Sequence, residues 1–285
     1  MMMAKAAAQI VPASKKVLIP MRIVALICLF VASLYGQQVP SAKPAETPSN
    51  QQKARTLVDQ MIQALGGEAY LNAQDYYAEG RSGSFHNETL QGTSLFYRFW
   101  KWPDKDRIEL TKQRDIVQLY VGDDAYEITY KGIRPLSLQK EERVNQAIIR
   151  RHYSLENVLR TWMKEPGILL LDEGPSISEG HMAEKVTIIN SKNESVTILV
   201  DPSTHLPLEK RFSTRDPRYR ERDEEALIYG DWKVFQGINT PRMTVIKRNG
   251  ETISQQIILN ITYNVHPADA LFDPAVAKIN PVKEK

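Results

Sequence analysis

Apolar and polar residues alternate with a period of two along most of the chain, and with a helical period in only two places. The first helical place is "NQQKARTLVDQMIQALGG". Leu57, Met61 and Leu65 recur on one side with Val58 and Ile62 beside them, Ser49 or Asn50 offers a cap, and Gly66-Gly67 offers a stop. The second runs from Ser137 to Gly167. Val144, Ile148, Leu155, Leu159 and Trp162 recur at three-to-four spacing, Ser154 can recap the helix midway, and Pro166-Gly167 ends it.

Elsewhere the period is that of strands. In "GTSLFYRFWKWP", Leu95, Tyr97 and Phe99 share one face, and Phe96, Arg98 and Trp100 share the other. "RDIVQLYVGDDAYEITYKG" reads as a hairpin, with Val117, Leu119 and Val121 on one face of its first strand. "EKVTIINS" and "ESVTILVDP" form another, across Lys192-Asn193. In the last strand Ile253, Ile257, Leu259, Ile261 and Tyr263 alternate with polar residues. The pattern predicts about eleven strands separated by short turns. The fold class is therefore mainly β with helical cover (α+β), a single large antiparallel sheet. A sheet of that size must curl, and the two helical segments are the available cover for its concave face.

Composition adds a boundary near the N-terminus. The 285-residue chain has 37 Lys and Arg, 34 Asp and Glu, and a formal charge of +3. Residues 1–36 hold Lys5, Lys15, Lys16 and Arg22 and no acid, so the remainder is nearly neutral. That gives no electrostatic case for nucleic acid. The same residues read as an export signal: a basic start, the apolar run "IVALICLFVASLYG", and small residues at Ala32, Ser33 and Gly36. Met21 is a plausible true start, and an uncleaved membrane anchor is the competing reading. Residues 37–50 read as a flexible linker, 51–276 as one domain, and 277–285 as a tail. Cys28, the only cysteine, lies inside the apolar run. The exported part then has no disulfide, thiolate or Cys-ligated metal, which suits a bacterial periplasm.

Catalytic chemistry has no local signature. No H-E-x-x-H spacing, G-x-S-x-G elbow or phosphate-binding glycine loop occurs. His152 and Glu156 stand one helical turn apart and could share a ligand, or form an exposed polar pair. Asp123-Asp124 and the other carboxylate pairs lie beside turns or helix starts, where short polar side chains serve the backbone. "DPSTHLPLEKRFS" brings Asp201 close to His205, and the flanking strands make it a turn rather than a catalytic pair. The charged "RDPRYRERDEE" is a partner-docking loop or a solvated connection. No metal or cofactor is expected. The aromatic residues scattered over many strands carry more, because a large sheet with little helical cover leaves apolar surface for a hydrophobic ligand.

Three stretches carry a resemblance. "DPSTHLPLEKRFS", "VDQMIQALGGEAYLNAQDYYAEGR" and "ALIYGDWKVFQGINTPRMTVIKRNGETISQQIILNITYNVHPADALFDP" resemble elements of LolA-like, outer-membrane lipoprotein-sorting proteins. The resemblance implies an incomplete antiparallel barrel lidded by helices. It implies a non-enzymatic monomer whose cavity holds acyl chains of a lipoprotein or another lipid in the periplasm, with an inner-membrane transporter and an outer-membrane receptor as partners. Arg81 is the nearest match to the family's lid-contacting arginine. The cavity set expected from the strand faces is Leu95, Tyr97, Phe99, Leu119, Ile257, Leu259 and Ile261, with Leu155, Leu159 and Trp162 on the covering helix. Which strand face points inward is left open by the pattern. A sensor or interaction module of the same fold is the alternative, and a hydrolase of unrecognised type a more remote one.

Overall fold

The first helix, α1 (Asn50–Leu65), starts on a capping box. The Ser49 side chain accepts from the Gln52 backbone N–H, and the Gln52 side chain accepts from the Ser49 N–H. Its buried face is Ala54, Leu57, Val58, Met61, Ile62 and Leu65. It stops at Gly66, whose φ of 126° suits glycine and whose α-carbon abuts the chain at Gly237; an added Cβ would meet the Gly237 carbonyl oxygen at 2.5 Å. A short helix, α2 (Glu68–Asn72), leads into the sheet. The computed structural model describes residues 49–137, 140, 142–215 and 222–276. The expected export signal with Cys28, the linker up to residue 48, most of the charged "RDPRYRERDEE" loop and the tail lie outside those residues.

Thirteen strands follow: β1 (Asp75–His86), β2 (Thr89–Lys101), β3 (Lys105–Leu110), β4 (Ile116–Val121), β5 (Asp124–Thr129), β6 (Gly132–Leu136), β7 (Leu169–Ser178), β8 (His181–Ile189), β9 (Ser195–Val200), β10 (Pro207–Arg215), β11 (Arg222–Phe235), β12 (Ile238–Arg248) and β13 (Glu251–Tyr263). They form one antiparallel, curved, open sheet in the order β6-β5-β4-β3-β2-β1-β13-β12-β11-β10-β9-β8-β7. The pattern predicts about eleven strands. β6 escapes it because Gly132 and Pro135 break the alternation. Pro135 is tolerated there because β6 is an edge strand. At the other edge, the Asn50 side-chain amide donates to the Asp172 carbonyl at 2.6 Å and accepts from the Asp172 N–H at 3.0 Å, occupying part of the open rim of β7.

The topology places the lid. β1 pairs with β13 in the middle of the sheet, so β6 and β7 become opposite edges although they are consecutive strands. The chain between them must cross a whole face of the sheet. That crossing is α3 (Glu142–His152), α4 (Leu155–Arg160) and a 3-10 turn (Trp162–Lys164). Ser154 caps α4 by accepting from the Asn157 N–H at 3.1 Å, the midway recap expected from the pattern. α3 is tied down on both sides. Arg150 grips Glu225 of β11, Arg248 of β12 reaches Glu142, and Arg151 donates to the carbonyls of Asp104 and Gly122 in two hairpin loops.

The main core lies under these helices. Leu170, Val186, Ile188, Val196, Ile198, Val200 and Phe212 of β7–β10 pack on α1 and on Tyr153, Leu155, Val158, Leu159 and Trp162. A smaller cluster joins Tyr120, Ala125 and Leu136 to Val144 of α3. The opposite face of β4 and β5 is not bare. Val117, Leu119 and Ile128 are covered by Phe272, which follows a 3-10 turn (Asp269–Leu271). Among the described residues no helix is long and apolar enough to cross a membrane.

Candidate functional site

Register sorts every strand residue by face. Tyr76 of β1 stands opposite Trp100 and Tyr263, and Trp100 opposite Asp106; from there the line continues to Tyr120, Ala125 and Leu136, which α3 covers. This is the inner face. Phe96 and Arg98 belong to it, as do Ile261 and Ile258 through their partners Ala78 and Gly80. On the far half it continues through Leu227 and Tyr229 to Lys210 and Phe212.

The two flanks of this face are filled by helices, and its middle is not. Tyr76, Arg98, Tyr229, Ile258 and Tyr263 each keep part of their surface open to solvent. Even so, burial pushes the phenols of Tyr70, Tyr76 and Tyr229 well above their ordinary pKa, and that of Tyr263 up to about 12. The Glu156 carboxylate adds to the rise in all four. Half-buried and strongly desolvated, Tyr76, Tyr229 and Tyr263 mark the partly open middle of this face as the candidate recess. Tyr76 and Trp100 stack at 5.2 Å, and Tyr263 meets Tyr76 edge-on at 5.9 Å, so the walls are aromatic. Arg98, paired twice with Asp106 at 2.9 and 2.7 Å, lies 5.8 Å from the Tyr76 ring centre. The recess is thus mostly apolar with a few fixed charges, the composition of a site for a ligand with a long apolar part.

The expected cavity residues fall on both faces. Leu155, Leu159 and Trp162 sit on the inner side but are core, 7%, 2% and 1% exposed. Ile261 also faces inward and is buried. Leu95, Tyr97, Phe99 and Leu119 lie on the opposite face, with Arg81 and Ile257. Leu119 packs under Phe272 and Phe99 against the same cluster, while Arg81 is exposed. Leu259 stands at a register shift in β13 and is 44% exposed. The ten residues do not share a surface, because only the crossing helices decide which face is inward. Tyr70, Tyr76, Glu156 and Tyr229 were not in the set. The one available signal was the second face of β2, with Phe96, Arg98 and Trp100.

The other candidate pairs resolve as structure. His152 Nε2 meets Glu194 at 2.8 Å rather than Glu156. The Asp201 carboxylate accepts from Ser203 N–H, Ser203 hydroxyl and Thr204 N–H at 2.8, 2.6 and 2.8 Å, which holds its pKa below the usual range. His205 takes the left-handed position of that turn, at φ 56°. Among the described residues no cluster of three or more His, Cys, Asp or Glu could hold a metal ion.

Lys210, on the inner face under the crossing helices, is 1% exposed and donates to the Tyr153 carbonyl at 2.6 Å. Burial pushes its pKa down to about 8, against the pull of Glu156 and Glu225. Its folded value is depressed, so above about pH 8 the unfolded chain keeps a proton that the folded chain has lost. Stability is therefore expected to rise from about pH 8 until the phenols of the unfolded chain ionise near about pH 10, where the trend reverses. Urea unfolding at several pH values should show this rise in the native protein and not in Lys210→Met.

No family model and no curated protein matches the chain. Its fold is similar to that of solved structures. A DUF1329 family protein from Desulfovibrio piger superposes with a TM-score of 0.54 at 16% identity, covering 80% of this chain and 100% of that one. A domain assigned to outer membrane lipoprotein sorting from Vibrio parahaemolyticus gives 0.54 at 12%, covering 78% and 98%. A LolA superfamily protein from Nitrosomonas europaea gives 0.50 at 10%, covering 77% and 97%. The fold of this chain is LolA-like.

Proposed function

We propose that this chain is an exported, non-enzymatic binding protein that holds acyl chains of a lipoprotein or another lipid in the recess between β1, β2, β11, β13 and the crossing helices. The observation that carries the reading is the inner face itself, filled by helices at both flanks and open in an aromatic-walled middle. The likeness to a domain assigned to lipoprotein sorting adds support at the level of fold. On this reading residues 1–36 are the export signal, the site of action is the periplasm, and any transporter or receptor would meet the protein there. Holding a lipid requires no group transfer, in keeping with catalytic pairs that serve turns and ion pairs instead.

The test is direct. Protein purified from a periplasmic extract should carry acyl lipids detectable by mass spectrometry of an organic extract. A fluorescent acyl probe should bind it and be displaced by unlabelled lipid. Ile258→Glu places a charge on the inner face and should weaken the probe by about tenfold or more, since burying a charge in an apolar site costs at least that much. Leu95→Glu, on the opposite face, should leave binding within about threefold. No co-purifying lipid and no displacement would overturn the reading in favour of an interaction module of the same fold.

A further inference from the structure

The recess holds an ion pair whose cation is only partly used. Arg98 stands on the inner face of β2. Across β3, β2, β1 and β13 its row reads Ile108, Arg98, Ala78 and Ile261, so Arg98 is the one hydrogen-bonding side chain in an otherwise apolar line.

Arg98 Nε donates to one oxygen of Asp106 at 2.9 Å, and Nη2 donates to the other at 2.7 Å. A guanidinium carries its N–H donors in a rigid planar fork. Asp106 takes the side formed by Nε and Nη2, so the fork holds Nη1 away from that carboxylate. No described residue accepts from Nη1. The Arg98 side chain is 32% exposed and that of Asp106 13%, so the cation is the member of the pair that stays open. The guanidinium carbon lies 5.8 Å from the centre of the Tyr76 ring, which stacks on Trp100, so the open donor borders the aromatic wall.

An ion pair set among apolar residues adds little net stability over apolar side chains of similar shape. What this one supplies is a fixed, charged donor in an apolar line. A hydrogen bond from a charged donor is stronger than one between neutral groups. The acceptor that an esterified or amidated acyl chain always carries is its carbonyl oxygen. An ether oxygen is a weaker acceptor.

We infer that Arg98 Nη1 donates to the carbonyl oxygen of the ligand, so that the recess takes ester- or amide-linked chains in preference to ether-linked ones. This rests on the acyl-binding reading above and names the residue and the linkage within it. Glu156 and Arg160 of α4 act on Tyr263 with opposite signs, and neither tells one uncharged ligand from another.

Monolaurin and its ether analogue dodecylglycerol are both uncharged and differ only in a carbonyl replaced by a methylene. Calorimetric titration of the full chain, below the micelle concentration of each, compares them. Monolaurin should bind at least about fivefold more tightly. The double variant Arg98→Met with Asp106→Leu removes both charges together and leaves neither buried alone. It should melt normally and bring the two probes within about twofold, chiefly by weakening monolaurin. In the native complex, infrared spectroscopy should find the ester carbonyl stretch of bound monolaurin below its frequency in a hydrocarbon solvent. Equal binding of the two probes by the native protein overturns the inference while leaving chain binding intact. So does an unshifted carbonyl stretch, or an unchanged preference in the folded double variant. Failure of both probes to bind overturns the inference and the acyl-binding reading together.

Discussion

Glu109→Gln is expected to destabilise the protein by about 3–5 kcal/mol, the cost of breaking a buried ion pair from one side. Glu109 and Arg107 are both 0% exposed, on the sheet face opposite the helices. Arg107 Nε donates to Glu109 at 2.7 Å, and Arg114 Nε donates to its other oxygen at 2.5 Å. Arg107 also donates to the Leu271 carbonyl at 3.1 Å, and Arg114 lies 4.4 Å from the Tyr97 ring centre. The carboxylate therefore balances the buried Arg107 guanidinium and the partly exposed one of Arg114. An amide of the same shape keeps the packing and removes the negative charge that faces the buried Arg107 guanidinium. Urea denaturation with an unchanged m-value should show the loss as a lower midpoint. Replacing both partners by apolar residues, Arg107→Met with Glu109→Leu, should recover most of it, because a buried pair contributes little net stability over a well-packed apolar substitute. A loss below about 1 kcal/mol for Glu109→Gln would show that water reaches the site.

Trp162→Ala is expected to cost about 3–5 kcal/mol as well, by opening a cavity in the main core. The indole is 1% exposed and lies 5.5 and 5.6 Å from the rings of His152 and Tyr153. Tyr153 stacks in turn on Phe212 at 4.6 Å, so Trp162 links the crossing helix to the floor of the sheet. Sequence periodicity alone places Trp162 among cavity-lining residues. The two roles predict different behaviour. A core residue lowers the melting temperature first, and any loss of binding follows unfolding. A lining residue weakens ligand binding in a protein that melts normally. Melting and acyl-probe titration of the same variant separate them, and normal melting with weak binding would return Trp162 to the ligand site.

Much of the architecture was legible because it is local. The capping box at Ser49, the stop at Gly66, the recap at Ser154 and the hairpin turns all rest on residues within a few positions of one another. The period-two alternation of β2 correctly separated Leu95, Tyr97 and Phe99 from Phe96, Arg98 and Trp100. The LolA-like reading also came from local signatures. "ALFDP" is one of them, and its Leu271 and Phe272 cap the outer apolar cluster. β6 was missed because Gly132 and Pro135 hide an edge strand from any alternation test.

The candidate site was far less legible. Glu156 looked like the partner of His152 at helical spacing, and its isolation appears only once Glu194 takes the histidine and backbone carbonyls take Arg160. Tyr70, Tyr76, Tyr229 and Tyr263 come from four separate elements, so no window of sequence contains them together.

What this sequence determined by itself was a set of two-faced strands, two helical segments and the turns between them, because side-chain period and turn chemistry act over a few residues. What only the tertiary structure decided was which face is inside. β1 pairs with β13, which sends β6 and β7 to opposite edges and drags the helical segment between them across one face of the sheet. Alternation is symmetric between the two faces of a strand, and only a long-range connection breaks that symmetry.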